Sequence, residues 1–264
     1  MGRFAVGLLL VCIAGAAIAQ PAEDEAGTRI SVGAGVISAP KYPGADTYRL
    51  RAIPVISLSF GRFFVVGGDP GGGGGGGGGG LGMNIVRDPA WRLGVALAPG
   101  FGRARRESDH PSLAGLGDID RATRAVAFAG YTRGWLSANL RVATDIEGED
   151  QGTLATFDLS ARYRATPELS FSAGPGITWA DDDYMMTFFG VSGEQAARSS
   201  LPAYEAKGGV HALRFGVGAS YRFDRRWSVG GRVSTSRLVG DAEDSPITRS
   251  RNPHGAAVFA SYRF

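Results

Sequence analysis

Residues 211–223 read His-Ala-Leu-Arg-Phe-Gly-Val-Gly-Ala-Ser-Tyr-Arg-Phe. Leu213, Phe215, Val217, Ala219, Tyr221 and Phe223 occupy every second position. Arg214, Gly216, Gly218, Ser220 and Arg222 occupy the positions between. A period of two is that of a β-strand, whose successive side chains point to opposite faces. One face is apolar and aromatic, and the other is small with scattered charge. The same pattern recurs at 156–164, where Phe157, Leu159, Ala161 and Tyr163 alternate with Asp158, Ser160, Arg162 and Arg164. It recurs again at 168–178, and in the last residues, where Val258, Ala260, Tyr262 and Phe264 oppose Ala257, Phe259, Ser261 and Arg263. The polar outer face of a soluble sandwich tends to carry lysine and glutamate. Glycine, serine and arginine instead suit the crowded inner face of a curved barrel whose apolar face meets lipid.

Extending this pattern along the chain predicts twelve strands, at 28–38, 48–59, 62–67, 81–87, 91–101, 122–131, 134–144, 154–164, 168–178, 209–223, 227–238 and 255–264. An even number is what a single-chain bacterial barrel requires. The connections alternate in length. Short turns fall at Phe60-Gly61, Asp88-Pro89-Ala90, Thr132-Arg133, Ala165-Thr166-Pro167 and Asp224-Arg225-Arg226. Long loops fall near 39–47, 68–80, 102–121, 145–153, 179–208 and 239–254. Short periplasmic turns and long external loops are the asymmetry of outer-membrane barrels, and an even count places both termini in the periplasm.

Composition is consistent with this class. The 264 residues are 44% hydrophobic with a mean hydropathy of −0.04, which excludes a wholly disordered chain. Beyond residue 20 no apolar run reaches the roughly 18 residues of a spanning helix. Glycine is abundant, 42 residues, but without the strict period of collagen. Residues 1–19 have a basic start, an apolar run from Phe4 to Ile13, and the small-x-small sequence Ala17-Ile18-Ala19. They read as a secretory signal peptide cleaved near Ala19, leaving 20–264 as one barrel domain. The only cysteine, Cys12, lies inside that signal, so the mature chain has no thiol chemistry. A net charge of +3 is too weak to point to nucleic acid.

Four groups of residues carry the functional expectations. Trp91, Trp135, Trp179 and Trp227 fall at strand ends, as interfacial anchors do. Arg141, Arg162, Arg214, Arg222, Arg232 and Arg263 share the inward face with Asp158. They are positioned either to pair and plug the lumen or to form a track for anions. Tyr262 and Phe264 make an aromatic terminus of the kind that the barrel-assembly machinery recognises. The ten-glycine run Gly71–Gly80 lies in the external loop at 68–80 and has no strand-loop-helix context for phosphate binding. His110, His211 and His254 lack the spacing of a zinc site. His211 stands at a strand end, with Ser199 and Ser200 in the loop before it, but nothing in the sequence builds a triad. Asp181-Asp182-Asp183 and Gly117-Asp118-Ile119-Asp120 lack the twelve-residue calcium loop. No catalytic residue, metal or cofactor is assigned.

The stretch Ala39-Pro40-Lys41-Tyr42-Pro43-Gly44-Ala45-Asp46-Thr47-Tyr48-Arg49, followed by Ile53-Pro54, resembles the first-loop signature of the MltA-interacting protein (MipA/OmpV) family. Arg62-Phe63-Phe64, Trp91-Arg92-Leu93-Gly94 and Leu116-Gly117-Asp118-Ile119-Asp120 fall where that family has similar residues. So do Tyr184-Met185, Phe188-Phe189-Gly190-Val191, Ser200-Leu201-Pro202-Ala203-Tyr204 and the terminal Ser261-Tyr262-Arg263-Phe264. The glycine run departs from the family pattern. The resemblance implies an outer-membrane barrel in a Gram-negative envelope, in contact with lipid and lipopolysaccharide. It implies a non-enzymatic scaffold that brings a lytic transglycosylase together with a murein synthase. A narrow anion-preferring diffusion channel and an adhesin acting through its external loops are the alternatives.

Overall fold

A computed structural model describes residues 28–67, 79–100 and 103–264. The expected signal peptide at 1–19, Cys12 and most of the glycine run lie outside the described residues.

Twelve strands close into one antiparallel barrel. In chain order they begin with β1 (Arg29–Pro40), β2 (Tyr48–Phe60), β3 (Phe63–Gly67), β4 (Gly80–Arg87) and β5 (Trp91–Ala98). Two short strands, β6 (Arg103–Arg105) and β7 (Ile119–Asp120), pair with each other inside the following loop. The wall resumes with β8 (Arg124–Arg133), β9 (Leu136–Asp145), β10 (Thr153–Arg164), β11 (Leu169–Ala180), β12 (Gly209–Arg222), β13 (Trp227–Leu238) and β14 (His254–Arg263). Each wall strand pairs with its sequence neighbour, and β14 pairs with β1 from Arg263↔Ser31 to Ala256↔Ser38. Closure leaves no open edge, the condition under which a sheet can cross lipid.

The register gives each residue a face. Val32, Val36, Leu50, Ile56, Val95, Leu140, Phe157, Val217 and Val258 are exposed hydrophobics on the outward positions. In water such a belt would be unstable; in a bilayer it is the solvated surface. The chain is a transmembrane, up-and-down, all-β barrel, and among the described residues no helix is long and apolar enough to span.

Several expected boundaries shift. The fifth strand ends at Ala98 rather than 101, because Pro99 has no N–H to donate to the ladder. The strands expected at 122–131 and 134–144 run Arg124–Arg133 and Leu136–Asp145, so the expected turn Thr132-Arg133 lies inside β8 and the tight turn is Gly134-Trp135, where Gly134 takes φ +59°. Strands β2, β3 and β8 alternate weakly in sequence because Ile53, Val55, Phe64, Val66, Val126 and Phe128 face inward. The inner wall is partly apolar there.

The loops after β11 and β13 are folded rather than open. The loop 181–208 contains α1 (Asp182–Phe189) and α2 (Gly193–Arg198), and the loop after β13 contains α3 (Asp241–Asp244). The described hydrophobic clusters of the chain sit among these loops and the upper ends of the strands.

Candidate functional site: an arginine-lined lumen under a loop cap

The inward face of the wall is basic. Of the wall arginines, only Arg133 and Arg237 take outward register positions. The wall strands contain two carboxylates, Asp145 and Asp158. All seven expected lumen residues, Arg141, Asp158, Arg162, Arg214, Arg222, Arg232 and Arg263, take inward positions.

Asp158 and Arg214 pair, with Arg214 Nη2 3.0 Å from Asp158 Oδ1. They stand on β10 and β12, with Gly176 of β11 in register between them. A Cβ at Gly176 would lie 3.0 Å from Arg214 Nη2. The missing side chain is therefore what lets two strands that do not touch exchange a charge pair. Arg92 is held in another way. Its Nε donates to Asn84 Oδ1 at 2.9 Å, and its guanidinium carbon lies 5.3 Å from the Phe64 ring centre and 5.2 Å from that of Phe128. Phe64 and Phe128 reach each other edge-on at 5.8 Å across the inner side of β4 and β5. Gly94 leaves room for the ring of Phe128, whose Cε1 would be 3.0 Å from an added Cβ. Cation–π contact of this kind fixes an arginine without neutralising it.

At the end with the short turns the inward face is basic. Arg164, Arg222 and Arg263 are exposed there on inward positions, and Arg29 and Arg162 lie beside them. Serine hydroxyls are interleaved: Ser170 Oγ is 2.8 Å from Ser220 Oγ, and Ser228 Oγ is 2.9 Å from Ser261 Oγ. Arg222 Nη2 donates to the Pro167 carbonyl at 2.6 Å. The acids of the adjoining turns are engaged in the turns themselves. Asp88 Oδ1 accepts from the amides of Ala90 and Trp91, and Asp224 Oδ1 from those of Arg226 and Trp227. Thr166 Oγ1 donates to Glu168 Oε2.

The opposite mouth is covered. In one apolar cluster, Tyr184, Met185, Phe188 and Phe189 of α1 pack on Leu154, Ala212 and Leu238, which point inward from β10, β12 and β13. In a second, Tyr42 and Ala45 from the β1–β2 loop meet Leu113 and Leu116 from the β5–β8 loop, Val191 beyond α1, and Ile247 beyond α3. These loops rise from separate parts of the wall, so a shared core means that they bridge the opening. Polar ties reinforce the bridge. Gln195 Nε2 donates to the Leu116 carbonyl at 2.8 Å, Arg198 Nε to that of Gly115 at 2.7 Å, and Ser245 Oγ to that of Phe189 at 2.5 Å. Arg49 ion-pairs with the buried Asp109, joining β2 to the β5–β8 loop. Arg105 is fully buried at 1% exposure, with Nη1 3.5 Å from the Phe188 carbonyl. Burial holds its guanidinium down to about 10, against the pull of Tyr42, Asp118 and Glu107. Burial pushes the Tyr184 hydroxyl up to about 12.

The remaining candidates have structural surroundings. His211 is buried against the rings of Tyr184 and Phe189, at 5.6 and 5.7 Å. Asp181 caps α1, accepting from the Tyr184 amide at 3.0 Å, and Asp182 accepts from Gly208. Asp118 accepts from the Glu107 amide at 2.8 Å. Among the described residues no group of three or more His, Cys, Asp or Glu is placed to hold a metal. Trp91, Trp135, Trp179 and Trp227 are all exposed, Trp179 toward the loop end and the others at the turn end. Tyr262 packs between Trp227 and Phe264, with ring centres 5.1 and 5.0 Å away. The cap, the inward phenylalanines and the basic mouth were not read from the sequence. Their signal lies in cross-strand register, which a single strand does not carry.

The family described as MltA-interacting protein MipA matches residues 32–264, from the first strand to the last residue. The chain belongs to that family. Two curated relatives, the MltA-interacting proteins of Escherichia coli K12 and Shigella flexneri, are each 28% identical over 250 residues, covering 92% of this chain and 90% of theirs. Among solved structures, an outer-membrane channel from Pseudomonas putida F1 aligns with a TM-score of 0.48 at 13% identity, covering 91% of this chain and 96% of that one. OmpT of Vibrio cholerae aligns at 0.41 and 8% identity, covering 93% and 100%. The MipA match spans every element of the wall described here, and the cap residues Tyr42, Tyr184 and Phe188-Phe189 fall within it.

Proposed function

We propose that this MipA-family barrel is a non-enzymatic outer-membrane scaffold whose working face is periplasmic. On this reading it brings murein-remodelling enzymes together, a lytic transglycosylase with a murein synthase. The observation that carries it is the cap. Loops that pack into one another across the outer opening are poorly suited to conduct solutes, and their apolar residues are turned inward rather than offered to a partner. What remains accessible is the rim of short turns, the chain end and the basic mouth. The relatives' name, an interaction with a protein called MltA, supports the same side. The signal peptide expected at 1–19 would deliver the chain to this location.

The test joins two measurements on one detergent-folded preparation. Envelope extract passed over the immobilised barrel should leave a lytic transglycosylase and a murein synthase on the column, while planar bilayers show no steady conductance. Steady anion-selective conductance that falls when Arg162 and Arg222 are replaced by neutral residues would favour a channel instead.

A further inference from the structure

We propose that the lipid-facing wall carries a seat for one phosphorylated glycolipid of the outer leaflet, across β12, β13, β14, β1 and β2 near their loop ends. The seat is remote from the rim of short turns, so it stands or falls independently of the scaffold reading.

Register builds the seat in rows that run across the outside of the wall. One row is Val217↔Val233↔Ala256↔Ser38↔Leu50. Ala256 and Ser38 are small and lie between the larger Val233 and Leu50, so the surface dips there. The next row toward the loops is Phe215↔Thr235↔His254. Tyr48 closes the dip on its far side. Its hydroxyl oxygen accepts the His254 amide at 3.1 Å, which ties β2 to β14 across β1. The result is a hollow of about 440 Å³ lined by Phe215, Val217, Val233, Ala256 and Tyr48. A second hollow, of about 310 Å³, shares Phe215 and Thr235 with the first and continues along Leu213, Arg237 and Asn252.

The surroundings select the occupant. These are outward positions of a membrane barrel, so hydrocarbon and not water fills the hollow. Its polarity is graded along the strands. On the side of the short turns the next outward row is Val258↔Val36, which is apolar. On the loop side the outward residues become Thr235, His254 and then Arg237. A chain lying in the hollow therefore has its tail toward the middle of the bilayer and its head among hydrogen-bond donors. A charged side chain facing lipid has to reach headgroup level, and that fixes the depth of Arg237. Arg237 Nη2 stands 3.1 Å from Glu243 Oε1, and Arg251 Nη1 lies 3.4 Å from the same oxygen. Arg251 Nη2 is also 3.8 Å from Asp244 Oδ1. Both arginines are 58% exposed. Each guanidinium carries five N–H donors in a fork, so these contacts leave donors facing outward. Phosphate oxygens match that fork. The side of the membrane decides between lipids that carry phosphate. The seat is at the end with the long loops, which faces outward, and there the leaflet of a Gram-negative outer membrane is phosphorylated glycolipid. Glycerophospholipid meets the opposite end of the wall.

The probe is diphosphoryl lipid A, titrated against the folded full-length barrel in detergent, with phosphatidylethanolamine as the competing lipid and retained lipid counted by native mass spectrometry. One lipid A should be retained per barrel in the presence of excess phosphatidylethanolamine. Ala256→Phe fills the floor of the hollow, and Arg237→Ser removes the head contact. Each should lower retention by about tenfold while keeping the parental heat-dependent gel shift. Val95→Phe, which enlarges an outward side chain on β5, should retain lipid A as the parent does. The Arg237→Ser defect should disappear when lipid A stripped of its phosphates is the probe, whereas the Ala256→Phe defect should persist. Equal retention of the two lipids, or parental retention by Ala256→Phe and Arg237→Ser, would overturn the seat and leave only general contact with the bilayer. A barrel dimer that Ala256→Phe disrupts, with no lipid bound, would overturn it in favour of a second copy of the chain.

Discussion

Phe189 has no exposed surface and lies where α1 enters the outer opening. Truncating a buried phenylalanine costs about 3–5 kcal/mol. Here the loss falls on the cap and not on the hydrogen-bonded wall. Phe189→Ala should therefore keep the heat-dependent gel shift of a closed barrel while amide exchange in 181–208 rises by at least tenfold; equal loss of both would mean that cap and wall fold as one unit. Tyr184 adds a pH dependence. Its hydroxyl ionises in the packed cap at about 12, because burial disfavours the phenolate, against an ordinary value of 10.0. A raised pKa means a stabilising contribution present below pH 10 and lost as pH rises from about 10 to about 12. Buried Arg105 works in the opposite sense, since burial lowers it and its neutral form is the one the cap favours. Comparison with Tyr184→Phe isolates the tyrosine: between pH 9 and 11 the parent cap should gain exchange relative to the variant, and parallel curves would remove Tyr184 as the cause.

At the scale of elements, two of the short turns share one construction. Asp88 and Asp224 each accept the amides two and three residues ahead, and the third residue is a tryptophan, Trp91 or Trp227, at the lipid interface. The bonds from Trp227 and then Arg226 hold the Asp224 carboxyl below its ordinary range. That contribution is present above the unfolded carboxyl pKa and is lost as pH falls through the folded value. Asp224→Ala should slow refolding into vesicles by several-fold, and the difference from the parent should shrink as pH falls below the ordinary carboxyl range; an unchanged rate at neutral pH would show that the turn forms after closure. These turns were legible in the sequence because an aspartate three residues before a tryptophan, followed by Pro89 in one of them, punctuates clean alternation. The strands β10 to β14 were legible for the same reason. Strands β2, β3 and β8 were less so, since Ile53, Phe64 and Phe128 turn apolar side chains into the lumen and blur the period. The cap was not legible at all. Tyr42, Leu116, Val191 and Ile247 are isolated in four loops, and only the folded chain gathers them.

For the whole molecule the decisive step is closure, in which β14 must find β1. Phe264 donates its amide to the Ile30 carbonyl at 3.0 Å, and Tyr262 sits opposite Val32 on the lipid side. Trp227, Tyr262 and Phe264 form one outward aromatic stack, and Arg226 Nη1 donates to the Tyr262 hydroxyl at 3.1 Å. Arg263 lies between them in sequence but opposite Ser31 on the lumen side. Each unpaired backbone group left in hydrocarbon costs several kcal/mol, so the last strand cannot enter lipid out of register. We propose that the outward aromatic face of β14 serves both as a handle for the barrel-assembly machinery and as an interfacial anchor once the barrel is closed. We predict that Phe264→Ser, or loss of residues 262–264, blocks insertion and exposes the chain to periplasmic proteolysis. Arg263→Ser changes a side chain that reaches neither lipid nor the aromatic stack, and it should insert at the parental level. Membrane yields compared from one expression strain separate the cases. Equal yields from the two substitutions would refute a role for the outward face of β14 in assembly, whereas a defect confined to Phe264→Ser would assign closure to a side chain that packs on the outside of the wall it completes.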